Sequence, residues 1–205
     1  MKNLNKINFQ NIKKVGIRVD FNVPTNDSFQ ITDNTRLLRA KDTIDFILKN
    51  ECKILLLSHF GRPKEAFDEK FSFTNLIDQF SDILGYEIHL LPYEEFLQNG
   101  LKQFKESSNK ITLLDNIRFF EGEKKNDESF SQSITNELDL FINEAFSASH
   151  RSHASVNQMA KNILSTPGLN FSKEVTAIND IKNSTKRKLA IIGGSKVSTK
   201  IKMKF

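Results

Sequence analysis

The strongest constraint on the fold is the alternation of short, continuously apolar segments with longer amphipathic ones. The apolar segments are KVGIRV (14–19), CKILLL (52–57), YEIHLL (86–91), KITLLD (110–115) and LDLFIN (138–143). The amphipathic segments between them cover 34–50, 74–85 and 127–138. Strands that are apolar on both faces and connected through helices are typical of a parallel sheet covered on both sides. The pattern therefore predicts a Rossmann-like, three-layer α/β/α domain.

Local signals predict the ends of two helices. Thr32 or Asp33 is expected to cap the first helix at its N-terminus, because short polar side chains accept hydrogen bonds from free backbone amides there. Gly85 is expected to end the second helix as its C-cap. The charged segment EGEKKND (121–127) is interpreted as a solvated loop, and His89 as a packed strand residue.

The pattern changes after Pro167 and Gly168. The segment NFSKEVTAINDIKN (170–183) predicts one more helix, and a polar stretch, the apolar strand LAII and a Gly-Gly turn follow it. We therefore expect a domain at 1–168, a linker helix at 169–187 and the truncated start of a second α/β domain at 188–205.

Composition excludes several classes of protein. No apolar run approaches the roughly 18 residues that a membrane-spanning helix needs, and the opening MKNLNKINFQ lacks the apolar region of a signal peptide. The one cysteine, Cys52, cannot form an internal disulfide and is expected to be a small buried hydrophobe. A cytoplasmic location without a membrane partner is therefore expected.

The net charge of +5 comes from one end of the chain. Residues 181–205 contain eight Lys or Arg and no Asp or Glu, so the rest of the chain is net acidic. The basic segment is a solvated tail, a nucleic-acid arm, or a segment whose balancing acidic surface is missing. It lacks interleaved aromatic residues and a recognition-helix pattern, so we expect no nucleic-acid partner.

Polar residues follow the carboxyl ends of four predicted strands, where open α/β sheets bind ligands. They are Asp20, Asn22, Ser58, His59, Arg62, Arg118, His150, Arg151 and His153, together with Arg36 at the start of the first helix. Gly61, between His59 and Arg62, allows close backbone approach. Each residue alone is weak evidence for a ligand site, but together they predict one cationic pocket. Guanidinium groups form bidentate hydrogen bonds with phosphate and carboxylate groups, so the expected ligand is a small, multiply charged anion. No set of residues has metal-ligand spacing.

The Gly-Gly turn offers a second anion site. In LAIIGGSKVSTK (189–200), amides after Gly194 could meet a phosphate at a helix N-terminus, and Lys196 and Lys200 fall on one helix face. The alternative is an ordinary connection between a strand and a helix.

Six segments resemble, in order, the signatures of the phosphoglycerate kinase family. They are RVDFNVP (18–24), TRL (35–37), LSHFGRP (57–63), LLDNIRFFEGEKKND (113–127), INEAFSASHRSHAS (142–155) and IIGGSKVSTKI (191–201). The resemblance implies a cytoplasmic glycolytic enzyme that transfers a phosphoryl group between 1,3-bisphosphoglycerate and ADP, producing ATP and 3-phosphoglycerate. Glu144 departs from the family, which usually has Asp there.

The resemblance also implies roles for individual residues. The expected substrate-binding residues are Asp20, Phe21, Asn22, Arg36, Ser58, His59, Phe60, Gly61, Arg62, Arg118, His150 and Arg151. Arg36 and Lys196 would be catalytic, and Gly194, Ser195, Lys196 and Lys200 would bind the nucleotide. Mg²⁺ is expected with ATP or ADP in the complete enzyme, and no cofactor is expected on this chain alone.

The chain has about half the length of a two-domain family member. It is therefore expected to bind 3-phosphoglycerate or 1,3-bisphosphoglycerate but to be inactive alone. One alternative is a non-catalytic module that has this same fold and binds anions or other proteins. Another is an enzyme completed by a separate C-terminal nucleotide-binding chain.

Overall fold

A computed structural model describes residues 3–64 and 66–189. Within them, six strands form one parallel sheet in the order β3-β4-β2-β1-β5-β6. The strands are β1 (Lys14–Arg18), β2 (Lys53–Leu57), β3 (His89–Leu91), β4 (Ile111–Leu114), β5 (Leu140–Asn143) and β6 (Ser165–Pro167). The predicted parallel sheet is confirmed, and β1 lies at its centre.

Helices connect the strands. They are α1 (Thr35–Lys49), α2 (Ile77–Leu84), α3 (Tyr93–Asn99), α4 (Lys102–Glu106), α5 (Glu121–Lys125), α6 (Glu128–Thr135), α7 (Met159–Asn162) and α8 (Leu169–Asn183). A π-helical turn at Ala154–Gln158 leads into α7. No helix among the described residues is long and apolar enough to cross a membrane.

The core consists of two apolar clusters, one on each face of the sheet. Successive side chains of a strand point to opposite faces, so Ile54 and Leu56 of β2 join one cluster while Leu55 and Leu57 join the other. All four are fully buried. This explains why the strands are apolar throughout, and it confirms the predicted α/β fold with helices on both sides of the sheet.

Local predictions had mixed outcomes. Gly85 is the C-cap of α2 in the left-handed conformation, as predicted, and Cys52 is buried. The prediction for the start of α1 was wrong: its N-cap is Asn34, although the Asp33 carboxylate accepts a hydrogen bond from the backbone N–H of Thr35 at 2.8 Å. The helices α3 and α4 and the short strand β6 were not predicted.

The interpretation of EGEKKND as a solvated loop was wrong. Residues Glu121–Lys125 form α5, and Glu123 in its middle is fully buried. The local sequence is strongly charged, but Glu123 turns inward to a buried hydrogen-bond partner that lies far away in the chain.

The chain divides into two compact units, 1–174 and 175–205. In the second unit, the described residues are the end of α8 and the stretch up to Leu189. The helix predicted after Gly168 is confirmed, and the domain limits at 168 and 187 stay predictions. Most of the predicted LAII strand and the whole Gly-Gly turn lie outside the described residues.

Candidate anion-binding site

The carboxyl ends of four neighbouring strands lie side by side at one edge of the sheet. The register pairs Arg18 with Leu57 and with Asn143, and it pairs Leu57 with Leu114. The loops that follow β1, β2, β4 and β5 therefore meet at this edge, which is where the sequence analysis expects the ligand.

The loops after β1 and β2 are fastened to each other by hydrogen bonds. Ser58 Oγ accepts from the backbone N–H of Phe21 at 2.9 Å, and Asn22 Oδ1 accepts from that of Gly61 at 2.8 Å. Gly61 has a φ of 58°, and a Cβ there would lie 2.3 Å from the ring of Phe71. Only glycine therefore fits at this position without strain.

Three arginines share one open cavity of about 460 Å³, which we call the basic pocket. It is lined by Arg62, Pro63, Arg118, Lys124, Arg151 and His153. Arg118 Nη1 donates to the carbonyl oxygen of Gly61 at 2.7 Å, which holds the guanidinium in place. Burial and then the charge of Arg151 lower the pKa of Arg118 to about 10. These like charges repel one another unless an anion lies between them.

A smaller cavity of about 130 Å³ lies at the start of α1, with Asp20 and Arg36 among its lining residues. Arg36 Nη1 and Asp20 Oδ2 form an ion pair at 2.6 Å, and Ser147 Oγ donates to the same carboxylate oxygen at 2.6 Å. The structure therefore brings together Asp20 and Arg36, which the sequence analysis singled out, and adds Ser147.

His59 is buried, with 7% of its surface exposed. Its Nδ1 lies 3.0 Å from Arg18 Nη2. Burial is the main reason why the pKa of His59 falls to about 2, and the charges of Arg18, Arg118, Arg151 and Arg36 add to the effect. The ring is therefore neutral in this structure.

Sequence reasoning missed two buried charged residues behind the basic pocket. Arg18 is almost fully buried at the end of β1, and its Nε donates to Ser155 Oγ at 2.8 Å. Glu123 accepts from the backbone N–H of Ser155 at 2.8 Å and from its Oγ at 2.7 Å. A lone arginine closing the apolar run VGIRV was the available signal, since a buried guanidinium needs acceptors.

Opposing effects set the charge of Glu123. Burial raises the pKa of this carboxyl, but the hydrogen bond from His153, the charge of Arg18 and the bonds from Ser155 outweigh burial, and the pKa lies below its ordinary value. Glu123 is therefore ionised and serves as a counter-charge for Arg18.

Other predicted site residues lie apart from the two cavities. Phe21, Ser58 and Phe60 are buried, and Ser58 holds the adjoining loops together. His150 is exposed and lines neither cavity. The predicted nucleotide-binding residues Gly194, Ser195, Lys196 and Lys200 lie outside the described residues.

Curated relatives are similar in sequence over nearly the whole chain. A phosphoglycerate kinase of Prochlorococcus marinus (strain MIT 9515) is 41% identical over 194 residues, covering 92% of this chain and 48% of the relative. A phosphoglycerate kinase of Wolbachia sp. subsp. Drosophila simulans (strain wRi) is 39% identical over 194 residues, covering 93% of this chain and 48% of the relative. The chain thus spans about half the length of the curated relatives it matches.

Solved structures agree with these relatives. Phosphoglycerate kinase from Coxiella burnetii superposes with a TM-score of 0.81 at 30% identity, covering 98% of this chain and 50% of that one. The enzyme from Pyrococcus horikoshii OT3 has a TM-score of 0.83 at 25% identity, covering 97% and 50%. A family model described as phosphoglycerate kinase matches residues 4–204. Because that match extends over nearly all of its length, the chain belongs to the phosphoglycerate kinase family.

Proposed function

We propose that this chain provides the 3-phosphoglycerate and 1,3-bisphosphoglycerate site of a cytoplasmic phosphoglycerate kinase. The observation that carries the proposal is the basic pocket, where Arg62, Arg118 and Arg151 face one cavity that no carboxylate lines. Several guanidiniums in one open cavity suit a phosphate dianion, because each can donate two parallel hydrogen bonds to its oxygens.

The other end of the substrate fits the cavity beside α1. Asp20 lines this cavity and Asn22 follows it in the same loop; in our proposal they offer a carboxylate and a carboxamide for the hydroxyl and carboxyl end of glycerate. Arg36 lies next to Asp20, and in our proposal it turns toward the carboxyl-phosphate and stabilises the phosphoryl group during transfer. Phosphoryl transfer depends on positioning and charge neutralisation more than on a protein nucleophile, and these residues supply both.

The nucleotide belongs to the part of the family pattern that follows residue 189. We assign Gly194, Ser195, Lys196 and Lys200 to the ADP or ATP phosphates, with Lys196 neutralising the transferred group. Mg²⁺ would arrive with the nucleotide and offset its charge. In the alternative of a two-chain enzyme, a separate C-terminal chain supplies the nucleotide-binding half.

The first test is calorimetric titration of the 205-residue chain with 3-phosphoglycerate at low salt, because salt weakens charge-dependent binding. We expect saturable one-to-one binding that Arg62→Ala weakens at least about tenfold, since a hydrogen-bonded charge pair contributes roughly 1.5–3 kcal/mol. Lys102→Ala is the matched control: it removes one exposed positive charge on α4, outside the basic pocket.

The same titration and an assay of ATP formation separate the alternatives. Equal losses in Arg62→Ala and Lys102→Ala would mean that net charge, and not this pocket, attracts the anion. Binding without ATP formation from 1,3-bisphosphoglycerate and ADP, even after addition of a C-terminal nucleotide-binding chain, would favour an anion-binding module. Activity that appears only after addition of a C-terminal chain would favour a two-chain enzyme. A folded chain that gives no heat with 3-phosphoglycerate would refute the proposal.

A further inference from the structure

The guanidinium of Arg18 determines the proton position on a neighbouring imidazole. Its groups contact Ser155 Oγ, His59 Nδ1 and the carbonyl oxygens of Val19 and Leu57. A guanidinium stays protonated in proteins and has no acceptor, so in each of these contacts Arg18 must donate. His59 Nδ1 must therefore be the acceptor at 3.0 Å.

An accepting Nδ1 leaves one state for the ring. Nδ1 carries no proton, so the imidazole is neutral and its hydrogen is on Nε2. No hydrogen bond among the described residues uses this Nε2–H. The ring follows β2 at the same edge as the basic pocket, and the charges of Arg118, Arg151 and Arg36 act on it. His59 lines neither cavity, so the structure shows a donor without a protein partner in the described part of the chain, whose surroundings include the pocket arginines Arg118 and Arg151.

We propose that Arg18 is a positioning residue that keeps His59 as the neutral, Nε2-protonated tautomer, so that Nε2–H donates to an oxygen of the bound substrate anion. This inference rests on the proposed function. The opposite tautomer would turn a lone pair toward the anion and repel it. An imidazolium would add a fifth positive charge to a group of four guanidiniums.

The donor chain behind Arg18 keeps the guanidinium in this orientation. Ser155 Oγ accepts from Arg18 Nε and donates to Glu123 Oε1 at 2.7 Å, so the direction of each bond is fixed. Glu123 also accepts from the backbone N–H of Ser155, which fixes the carboxylate itself. The ionised Glu123 therefore stabilises Arg18, and Arg18 in turn orients His59.

The proposal predicts how binding depends on pH. The charged groups around His59 and Arg18 are Arg36, Arg118 and Arg151 at the anion site and Glu123 and Asp20 around Arg18. A guanidinium keeps its charge between pH 5 and 8 in proteins. His59 should therefore contribute nothing to the pH dependence of 3-phosphoglycerate affinity. That dependence should follow the second ionisation of the phosphate, near about pH 6, and the ionisation of Glu144, which lines the cavity beside α1 and has a pKa raised to about 7 by burial.

The decisive experiment is ¹⁵N–¹H correlation spectroscopy of the histidine rings in the ligand-free 205-residue chain between pH 5 and 8. The chain has four histidines, and single substitutions of the other three assign the His59 signals. We expect an unprotonated Nδ1, a protonated Nε2 and no titration. A ring protonated on Nδ1, or one that titrates in this range, would overturn the proposal.

Variants test the donor itself. His59→Gln replaces the ring by a carboxamide that can accept from Arg18 and donate to the anion, so affinity should stay within about threefold. His59→Leu should weaken 3-phosphoglycerate binding about tenfold, the effect of one hydrogen bond to a charged group. Arg18→Met removes the donor to Nδ1, so part of the His59 population should carry its proton on Nδ1; if that variant does not fold, the wild-type spectrum still decides the tautomer.

The outcomes separate this inference from the proposed function. A titrating His59 in a chain that binds 3-phosphoglycerate would overturn the inference alone. A locked tautomer in a chain that does not bind 3-phosphoglycerate would refute the proposed function and the donor role with it. Equal affinities of His59→Leu and wild type would show that Nε2–H does not reach the anion.

Discussion

Glu144 gives a direct test of how burial in this fold changes the pKa of a carboxyl group. Its carboxylate is buried after β5, where Oε2 accepts from Thr43 Oγ1 of α1 at 3.0 Å and Oε1 accepts from the backbone N–H of Asn170 in α8 at 2.8 Å. Gly168 passes so close that a Cβ there would lie 1.4 Å from Oε2. Burial dominates these hydrogen bonds and raises the pKa of Glu144 from 4.5 to about 7.

The sign of the effect follows from proton binding. Between about pH 4.5 and 7 the folded chain holds a proton on Glu144 that the unfolded chain has released, so the free energy of unfolding falls as pH rises through this range. At about 1.4 kcal/mol per pH unit, the loss from this one group is roughly 3 kcal/mol, and it is complete above pH 7.

Glu144→Gln isolates this contribution, because the carboxamide resembles the protonated acid at every pH. We expect urea unfolding to give nearly equal stabilities for both proteins at pH 5, and the variant to be more stable by about 2–3 kcal/mol at pH 8. Asp42→Asn, an exposed carboxylate of α1 that pairs with Lys173, is the control and should shift stability by about 1 kcal/mol or less. Parallel pH profiles for wild type and Glu144→Gln would refute the reasoning.

Two further predictions concern the site. Gly61→Ala places a Cβ against the ring of Phe71 at a positive φ, so we expect a loss of about 1–3 kcal/mol in urea unfolding; Gly85→Ala, which also has a positive φ but open space around it, should lose less, and equal losses would contradict the steric argument. Glu123→Gln leaves the buried guanidinium of Arg18 without its counter-charge and should cost about 3–5 kcal/mol in the same assay; Glu121→Gln, on the exposed face of α5, is its control, and a loss below about 1 kcal/mol would contradict the pairing.

The sequence predicted the parts of the structure that depend on local patterns. Strands β1 and β2 are apolar because both faces of the sheet are covered, and that periodicity can be read without coordinates. The ends of parallel strands must meet at one edge, so the clustering of Arg62, Arg118 and Arg151 also followed from topology.

The parts that were missed depend on distant partners. In isolation EGEKKND resembles a solvated segment, and nothing within it distinguishes Glu123 from the exposed Glu121 and Lys125, which form an ion pair at 2.7 Å. The difference comes from Ser155, 32 residues away along the chain, whose N–H and hydroxyl both donate to Glu123. Local sequence carries no information about which charged residue a distant backbone segment will bury.

Charge is distributed unequally between the basic pocket and the region behind it. Among the described residues, Arg62, Arg118 and Arg151 have no carboxylate within ion-pair distance, whereas Arg18 has the ionised Glu123 on the far side of Ser155. A buried guanidinium without a counter-charge would destabilise the fold. The charge of the buried Arg18 is therefore balanced by Glu123. The three that face the cavity repel one another, and apart from the Arg118 Nη1 bond to Gly61 their donors remain for a ligand within the described part of the chain. An entering anion would relieve the repulsion. The same residue type thus stabilises the fold at one depth and is reserved for a ligand at another.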